Sequence, residues 1–516
     1  MKRIRSFVFV GLVLACFIVT FATFASAQAP EKGGVLRAIR GSFPRVLGYP
    51  PDMVPIDSIF SLLYAERLIC WGTWEEKGKF VPILAESWKV DEKNKTITVY
   101  LRKGVKFHDG NPFNAQALKW NYDIRLEYKR IPDQEFIKSV EVVDDHTIRL
   151  NLTELVSTAL LNYLWSVTAF SPDPIKKYGK EWARTNAYGT GPFKLAEFQR
   201  DTIVRYVKNE DYWRKGYPLL DGIEVRFIPD PVTASMMMEK KDADAWLDVG
   251  DVQRILDLER KGLKVNWGPG MMWALLPDSI DPKSPLSNKK VREAIEYALD
   301  KPAIAKAVGF GKYEPLSQLV PSFSPSYVPG YNPRPYNPQK AKELLKEAGY
   351  PDGFDVTLLV TNLPTPQDAA TAIKSYLEAV GIRVTLDVCE MSRYNAAVFT
   401  QEGWKGLVFA ASGINPDGTD IFAHFGPRPI TYRFARFEKS KQYLDLCEKA
   451  YRARKTEEMH KMLQQANRQA IEDAMIIPIY RSAQAVVMQP YVHTDYIKIH
   501  SVEWYTAYKD WMGKQK

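Results

Sequence analysis

Apolar and polar residues alternate along this chain with two different periods, and the places where the period changes mark its elements. Thr96 to Leu101 puts Ile97, Val99 and Leu101 on one face, which predicts a half-buried strand. Val140–Val143 and Thr147–Leu150 flank the turn Asp144-Asp145-His146 as a hairpin would. Ser58 to Cys70 carries Ile59, Leu62, Leu63 and Leu68 at helical spacing, and Ser157 to Val167 is apolar enough for a buried helix. Asn114 is placed to cap a helix running to Tyr128. Strands are expected near Val35–Ile39, Phe193–Phe198, Ile203–Lys208, Ile223–Ile228 and Asp242–Val249.

The stretch Met271–Leu299 changes character midway. Its first six residues predict an extended, buried strand, and Pro277, Pro282 and Pro285 then make a stiff connection that excludes helix. Ser287 or Asn288 caps the next helix, in which Val291, Ala294, Ile295 and Ala298 share a face. A strand, a proline bridge and a fresh amphipathic helix predict a crossing between two bodies. Beyond it, helices at Lys340–Ala348 and Gln367–Val380 alternate with strands at Phe354–Thr361 and Arg383–Val388, the pattern of an α/β lobe. Gly406–Ala411 predicts a small-residue strand entering the loop Ser412–Gly418. Met475–Tyr480 and Ala483–Met488 predict a return crossing to the first body.

A length of 516 residues exceeds one compact core, so two or three domains are expected. Met1–Arg5 is basic, Phe7–Phe24 is apolar and Ala25-Ser26-Ala27 supplies small residues, which together predict a signal peptide over residues 1–27. An uncleaved anchor and lipidation at Cys16 are the alternatives. Removing the cations Lys2, Arg3 and Arg5 takes the formal charge from +9 to +6, and no Lys/Arg run is long enough for a nucleic-acid patch. The four Cys show no paired spacing, so neither a zinc motif nor a disulfide framework is indicated.

Candidate chemistry is thin. No two of the six His share a metal-ligand spacing, and His108-Asp109 sits in a turn beside Gly110. Gly189-Thr-Gly191 and Gly309-Phe-Gly311-Lys312 fall short of a phosphate loop, and no nucleophile elbow is present. The reading is a binding protein and not an enzyme, with no cofactor and no metal. A secreted hydrolase is the rival of another class, and a sensing or chaperone-like module acting with no permease is a third.

Six stretches carry a family resemblance: LAESWKVDEKNKTITVYLRKGVKFHDGNPFNA (Leu84–Ala115), GTGPFKL (Gly189–Leu195), NEDYW (Asn209–Trp213), NKKVREAIEYALD (Asn288–Asp300), KAKELLKEAGY (Lys340–Tyr350) and IIPIY (Ile476–Tyr480). In these the chain resembles the extracellular solute-binding proteins of family 5, peptide-binding receptors of ATP-driven importers. The resemblance implies an α/β fold, a bilobal periplasmic-binding-protein clamp of type II-like form with an extra inserted subdomain. It implies a discontinuous lobe over 28–75, 188–274 and 486–516, an inserted subdomain over 76–187 and a second lobe over 275–485. Met271–Pro277 and Pro478–Val486 become the hinge crossings. The implied partners are a di- or oligopeptide and the permease subunits of an ABC importer, with the receptor a periplasmic monomer.

Peptide-binding members of the family carry a Trp and then an Asp in the loop after the small-residue strand, the Asp holding the peptide amine. Counted from Gly403, those positions fall at Ser412 and Asn415, with Asp417 two residues on. A slip of two restores the carboxylate; without it the solute need not be a peptide, and an oligosaccharide, small organic acid or metal complex becomes the alternative. The candidate ligand-binding residues are Trp273, Ser412, Asn415, Asp417, Tyr480 and Arg481. Trp273 either covers the ligand or packs in the core. The Asn-Pro-Asp-Gly stretch equally suits a plain turn. Arg481 suits a carboxylate through paired donors.

Overall fold

In the computed structural model the described residues are 30–72, 79–400, 403–413, 415, 417–427, 436–496, 504 and 506–514. The expected signal peptide, Cys16 and the expected boundary at residue 76 lie outside them. Strand β1 (Val35–Arg40) opens the chain, and β2 (Ile69–Trp71) pairs with β3 (Phe80–Pro82) as a short ribbon. Next, β4 (Ala85–Asp91), β5 (Thr96–Leu101), β6 (Ile137–Asp144) and β7 (Thr147–Leu152) form a separate antiparallel sheet in the order β4-β5-β7-β6. The predicted inward set of β5 is the buried one: Ile97, Val99 and Leu101 are almost fully enclosed. Asn114 caps the following helix, its Oδ1 accepting from Ala117 N at 2.9 Å.

The remaining long strands share one large sheet. They are β8 (Phe193–Gln199), β9 (Ile203–Lys208), β10 (Gly222–Phe227), β11 (Ala245–Val249), β12 (Lys264–Pro277), β13 (Glu314–Pro315), β14 (Phe354–Thr361), β15 (Ile382–Cys389), β16 (Leu407–Ser412) and β17 (Ile477–Met488). With β1 included, the order is β15-β14-β16-β12-β17-β11-β1-β10-β9-β8, and β13 lies against β17. A last pair, β18 (Val492–His493) and β19 (Trp511–Met512), closes the chain.

Two strands carry the chain across the middle of this sheet, and they pair with each other. β17 changes its second neighbour along its length: Tyr480 and Arg481 lie beside β13, whereas Ala485 and Met488 lie beside β11. Between them, Ala483 and Gln484 pair with β12 alone among the described strands. β12 changes company at the same level, since only Met272–Pro277 face β16. The register of the β12–β17 ladder slips between Pro269 and Met272, where Gly270 and Met271 form a bulge against Ser482. The crossing therefore centres on Gly270–Met271 and Ser482, just before the expected start at Met271.

The motifs are packing devices. A Cβ on Gly189 would stand 2.1 Å from the Tyr64 carbonyl oxygen, and one on Gly191 2.7 Å from Tyr64 C, so that loop lies flat on the chain beneath it. Asn288 caps the helix Lys289–Ala298, accepting from Lys290 N at 3.0 Å. From that helix Arg292 donates to the carbonyls of Asp473 (3.0 Å) and Ala474 (3.0 Å), bolting it to the entrance of β17. Buried Glu296 pairs with Lys301 (2.7 Å) and Arg334 (2.5 Å).

Three expectations need correction. The helix expected over Ser58–Cys70 covers Pro55–Ser61, after which the chain turns and enters β2. Ser157–Val167 holds one five-residue π-helical turn, Leu161–Trp165, and not a full helix. The two apolar runs before and after Ser482 form one strand and not two.

Candidate ligand-binding cleft

The cleft follows from strand direction. β1, β10 and β11 are parallel, and so are β14, β15 and β16. In open α/β sheets, ligand sites lie outside the carboxyl ends of such strands, where the order reverses. Beyond the end of β1, Gly41 N and Ser42 Oγ donate to Asp248 near the end of β11, at 3.0 and 2.9 Å. The last residue of β16, Ser412, stands opposite Met272 of β12. Because β12 runs antiparallel to β16 yet parallel to β11 (both are antiparallel to β17), the two groups of carboxyl ends open toward each other over Gly270–Met272.

The candidate residues fall on two faces of the sheet at this level. Trp273 lies between Ala411 and Tyr480, and its half-buried ring is 5.1 Å from Phe409 and 6.5 Å from Tyr480. Tyr480 is fully enclosed, stacked on Tyr313 at 5.0 Å, so it backs the aromatic wall and does not surface. Burial pushes its phenol well above the ordinary range and that of Tyr313 up to about 12. The buried Tyr480 Oη has no hydrogen-bond partner among the described residues.

On the other face, Met272 separates Ser412 from Arg481. Arg481 lies over the Phe323 ring at 5.3 Å and gives both Nε (2.8 Å) and Nη2 (2.7 Å) to Glu314 Oε2. Ser322 Oγ donates to the other oxygen of Glu314 at 2.7 Å. Ser412 is buried, with Oγ 3.3 Å from Gly413 O. Asn415 Nδ2 donates to Thr419 Oγ1 at 3.1 Å, and Asp417 Oδ1 accepts from Thr419 N (3.0 Å) and Oγ1 (2.7 Å). The Asp417 carbonyl accepts from Ser326 Oγ at 3.1 Å, so the loop Pro321–Tyr327 joins this turn to the Arg481–Glu314 pair. Four of the six candidates thus gather around one loop, and Trp273 with Tyr480 line the reverse side.

Residues 79–428 match the model of bacterial extracellular solute-binding proteins, family 5 Middle. The chain belongs to this family. The glutathione-binding protein GsiB of Shigella flexneri is 34% identical over 331 residues, 63% of this chain and 64% of that protein, so the match spans just under two thirds of that relative. Among solved structures, the periplasmic binding protein DppA of Helicobacter pylori, in complex with peptide STSA, superposes with a TM-score of 0.77 at 24% identity, covering 94% of this chain and 99% of that one. NikA of Brucella suis, in complex with Fe(III)-EDTA, gives 0.80 at 21% identity, covering 92% and 100%. These likenesses show the bilobal fold of a family 5 member. One fold holds a peptide in one neighbour and a metal chelate in the other, so the fold does not choose the ligand.

Glu314 is the residue beside the candidate set that the sequence does not announce. A single Glu between Tyr313 and Pro315 has no motif, and only strand pairing brings it beside Arg481. His108 holds the loop beneath it: its Nε2 lies 2.9 Å from Gly191 O, and burial lowers its pKa to about 4. Among the described residues no cluster of His, Cys, Asp and Glu could hold a metal ion, and the buried Cys70, Cys389 and Cys447 form no disulfide there.

Proposed function

We propose that this chain is the exported, periplasmic receptor of an ABC importer, capturing a di- or oligopeptide between two lobes and handing it to the membrane permease without altering it. The carrying observation is the convergence of two groups of strand carboxyl ends on the Gly270–Met271 and Ser482 bulge. Only the paired strands β12 and β17 pass through that level in the large sheet among the described strands, as a hinge requires. The lobes are 28–75 with 188–274 and 486–516, and 275–485, with 76–187 inserted. Ser412, Asn415, Asp417 and Arg481 supply polar contacts from their face of the sheet, while Trp273, backed by Tyr480, packs the hinge strands from the reverse face. The 34% identity to a glutathione-binding relative supports a peptide-like solute.

One observation favours the second reading, a non-peptide solute in the same clamp: Asp417 Oδ1 already accepts two hydrogen bonds from Thr419. Mass spectrometry of the molecule that copurifies with the protein decides between them. Peptides support the first reading. One defined sugar, organic acid or chelate replaces it with the second, and a protein that never takes up a small molecule defeats both.

A further inference from the structure

Arg481 and Glu314 form a contact pair of opposite charges on adjoining strands at the candidate cleft; the other such pair there among the described residues, Arg40 and Asp248 at 3.6 Å, has its guanidinium buried. Neither group is saturated. Glu314 Oε2 takes Nε and Nη2 of Arg481, which leaves Nη1 without a partner among the described residues. Glu314 Oε1 holds the Ser322 hydroxyl and keeps a further acceptor position, since an ionised carboxyl has about four. Both side chains are partly exposed, at 18% and 26%, directly beside the Ser482 level where β17 exchanges β13 for β11. Phe323 beneath the guanidinium and Ser322 on the carboxylate fix the pair in place.

The other carboxylates at this level are committed. Asp417 holds its own turn, Asp248 holds Gly41 and Ser42, and Asp251 caps a helix through Arg254 N. A fixed cation touching a fixed anion, each with unused valence, complements a ligand that carries the same two charges side by side. An ammonium and a carboxylate on one carbon have that arrangement. We propose that Glu314 and Arg481 together bind the α-amino-acid headgroup of the solute, Glu314 taking the ammonium and Arg481 the carboxylate. The class is therefore amino-acid-headed compounds, γ-linked peptides included. This rests on the peptide reading above and narrows it.

The test is calorimetric titration of the full chain with reduced glutathione, N-acetylglutathione and the tetrapeptide Ser-Thr-Ser-Ala, for the wild type and Glu314→Gln. The proposal expects the wild type to lose at least tenfold in affinity when the glutathione amine is acetylated. In Glu314→Gln, glutathione should weaken by a similar factor and acetylation should cost nothing more. Equal binding of both forms by the wild type overturns the proposal without any variant. An acetylation penalty that persists in Glu314→Gln also overturns it, because Glu314 would then only position Arg481. Binding of Ser-Thr-Ser-Ala without glutathione overturns the headgroup and leaves the peptide reading intact. Binding of neither overturns both.

Discussion

Ser482 holds Met271 at both ends of its peptide, with Oγ 3.0 Å from Met271 N and 3.2 Å from Met271 O. One hydroxyl thus bridges the two strands at the bulge where each changes its neighbour. A Cβ on Gly270 would meet that hydroxyl at 2.5 Å and the Ser482 carbonyl oxygen at 2.7 Å. Gly270→Ala forces the strands apart and should cost about 1–3 kcal/mol, as overpacking does. Ser482→Ala removes hydrogen bonds without a clash and should cost about 1 kcal/mol. Urea unfolding of both variants checks the ranking; Gly270→Ala as stable as the wild type would show that the strands do not meet there.

Glu66 explains two motifs at once. Its buried carboxyl accepts from Tyr212 Oη (2.7 Å), Trp213 Nε1 (2.8 Å) and Thr190 Oγ1 (3.0 Å), donors supplied by NEDYW and GTGPF. Burial raises its pKa against the pull of those donors. Tyr212→Phe keeps the ring and removes one donor from a buried acceptor, so stability should fall by about 1–3 kcal/mol. Thermal unfolding measures this, and an unchanged midpoint would contradict it.

Asp510 predicts a pH dependence. Burial raises its carboxyl to about 8, against the donation of Trp504 Nε1 at 2.8 Å. The folded state then holds a proton that the unfolded chain releases near pH 4, so Asp510 should lower stability progressively as pH rises from about 4 to about 8. Below that window its contribution is level. Asp510→Asn should remove this slope, by a few kcal/mol at most, and gain most over the wild type at pH 8. Denaturant unfolding across pH 4 to 8 reads it; parallel curves for the two proteins would refute the assignment.

The inserted segment also touches the other side of the proposed cleft. Ser157 N donates to Tyr451 O at 2.8 Å, and Arg452 pairs with Glu154. The ion pair is partly exposed, and such pairs contribute about 0–1 kcal/mol. Arg452→Ala should therefore weaken solute binding by less than about fivefold, and faster release should carry the change. Stopped-flow dissociation tests this, and a loss of a hundredfold would mean that Arg452 touches the solute.

The sequence made the local elements legible and left the pairings dark. Ile97, Val99 and Leu101 announce their buried face, and Asn114 and Asn288 announce their caps, because these depend on neighbours a few residues away. β12 begins at Lys264, seven residues before the expected crossing, because Gly268-Pro269-Gly270 reads as loop until β17 is seen beside it. The six candidate residues could be chosen by resemblance, but not sorted by face. That Trp273 and Tyr480 back one side while Arg481 looks to the other comes from strand alternation in a ladder whose register bulges. Glu314 had no pattern at all; only strand pairing places it opposite Arg481, 167 positions away.

Small-angle X-ray scattering of the protein with and without its copurifying solute tests the hinge most directly. Two lobes closing over Gly270–Met271 and Ser482 should give a smaller radius of gyration when loaded, and cross-linking the lobes should abolish the change. Identical scattering curves at saturating solute would contradict the clamp.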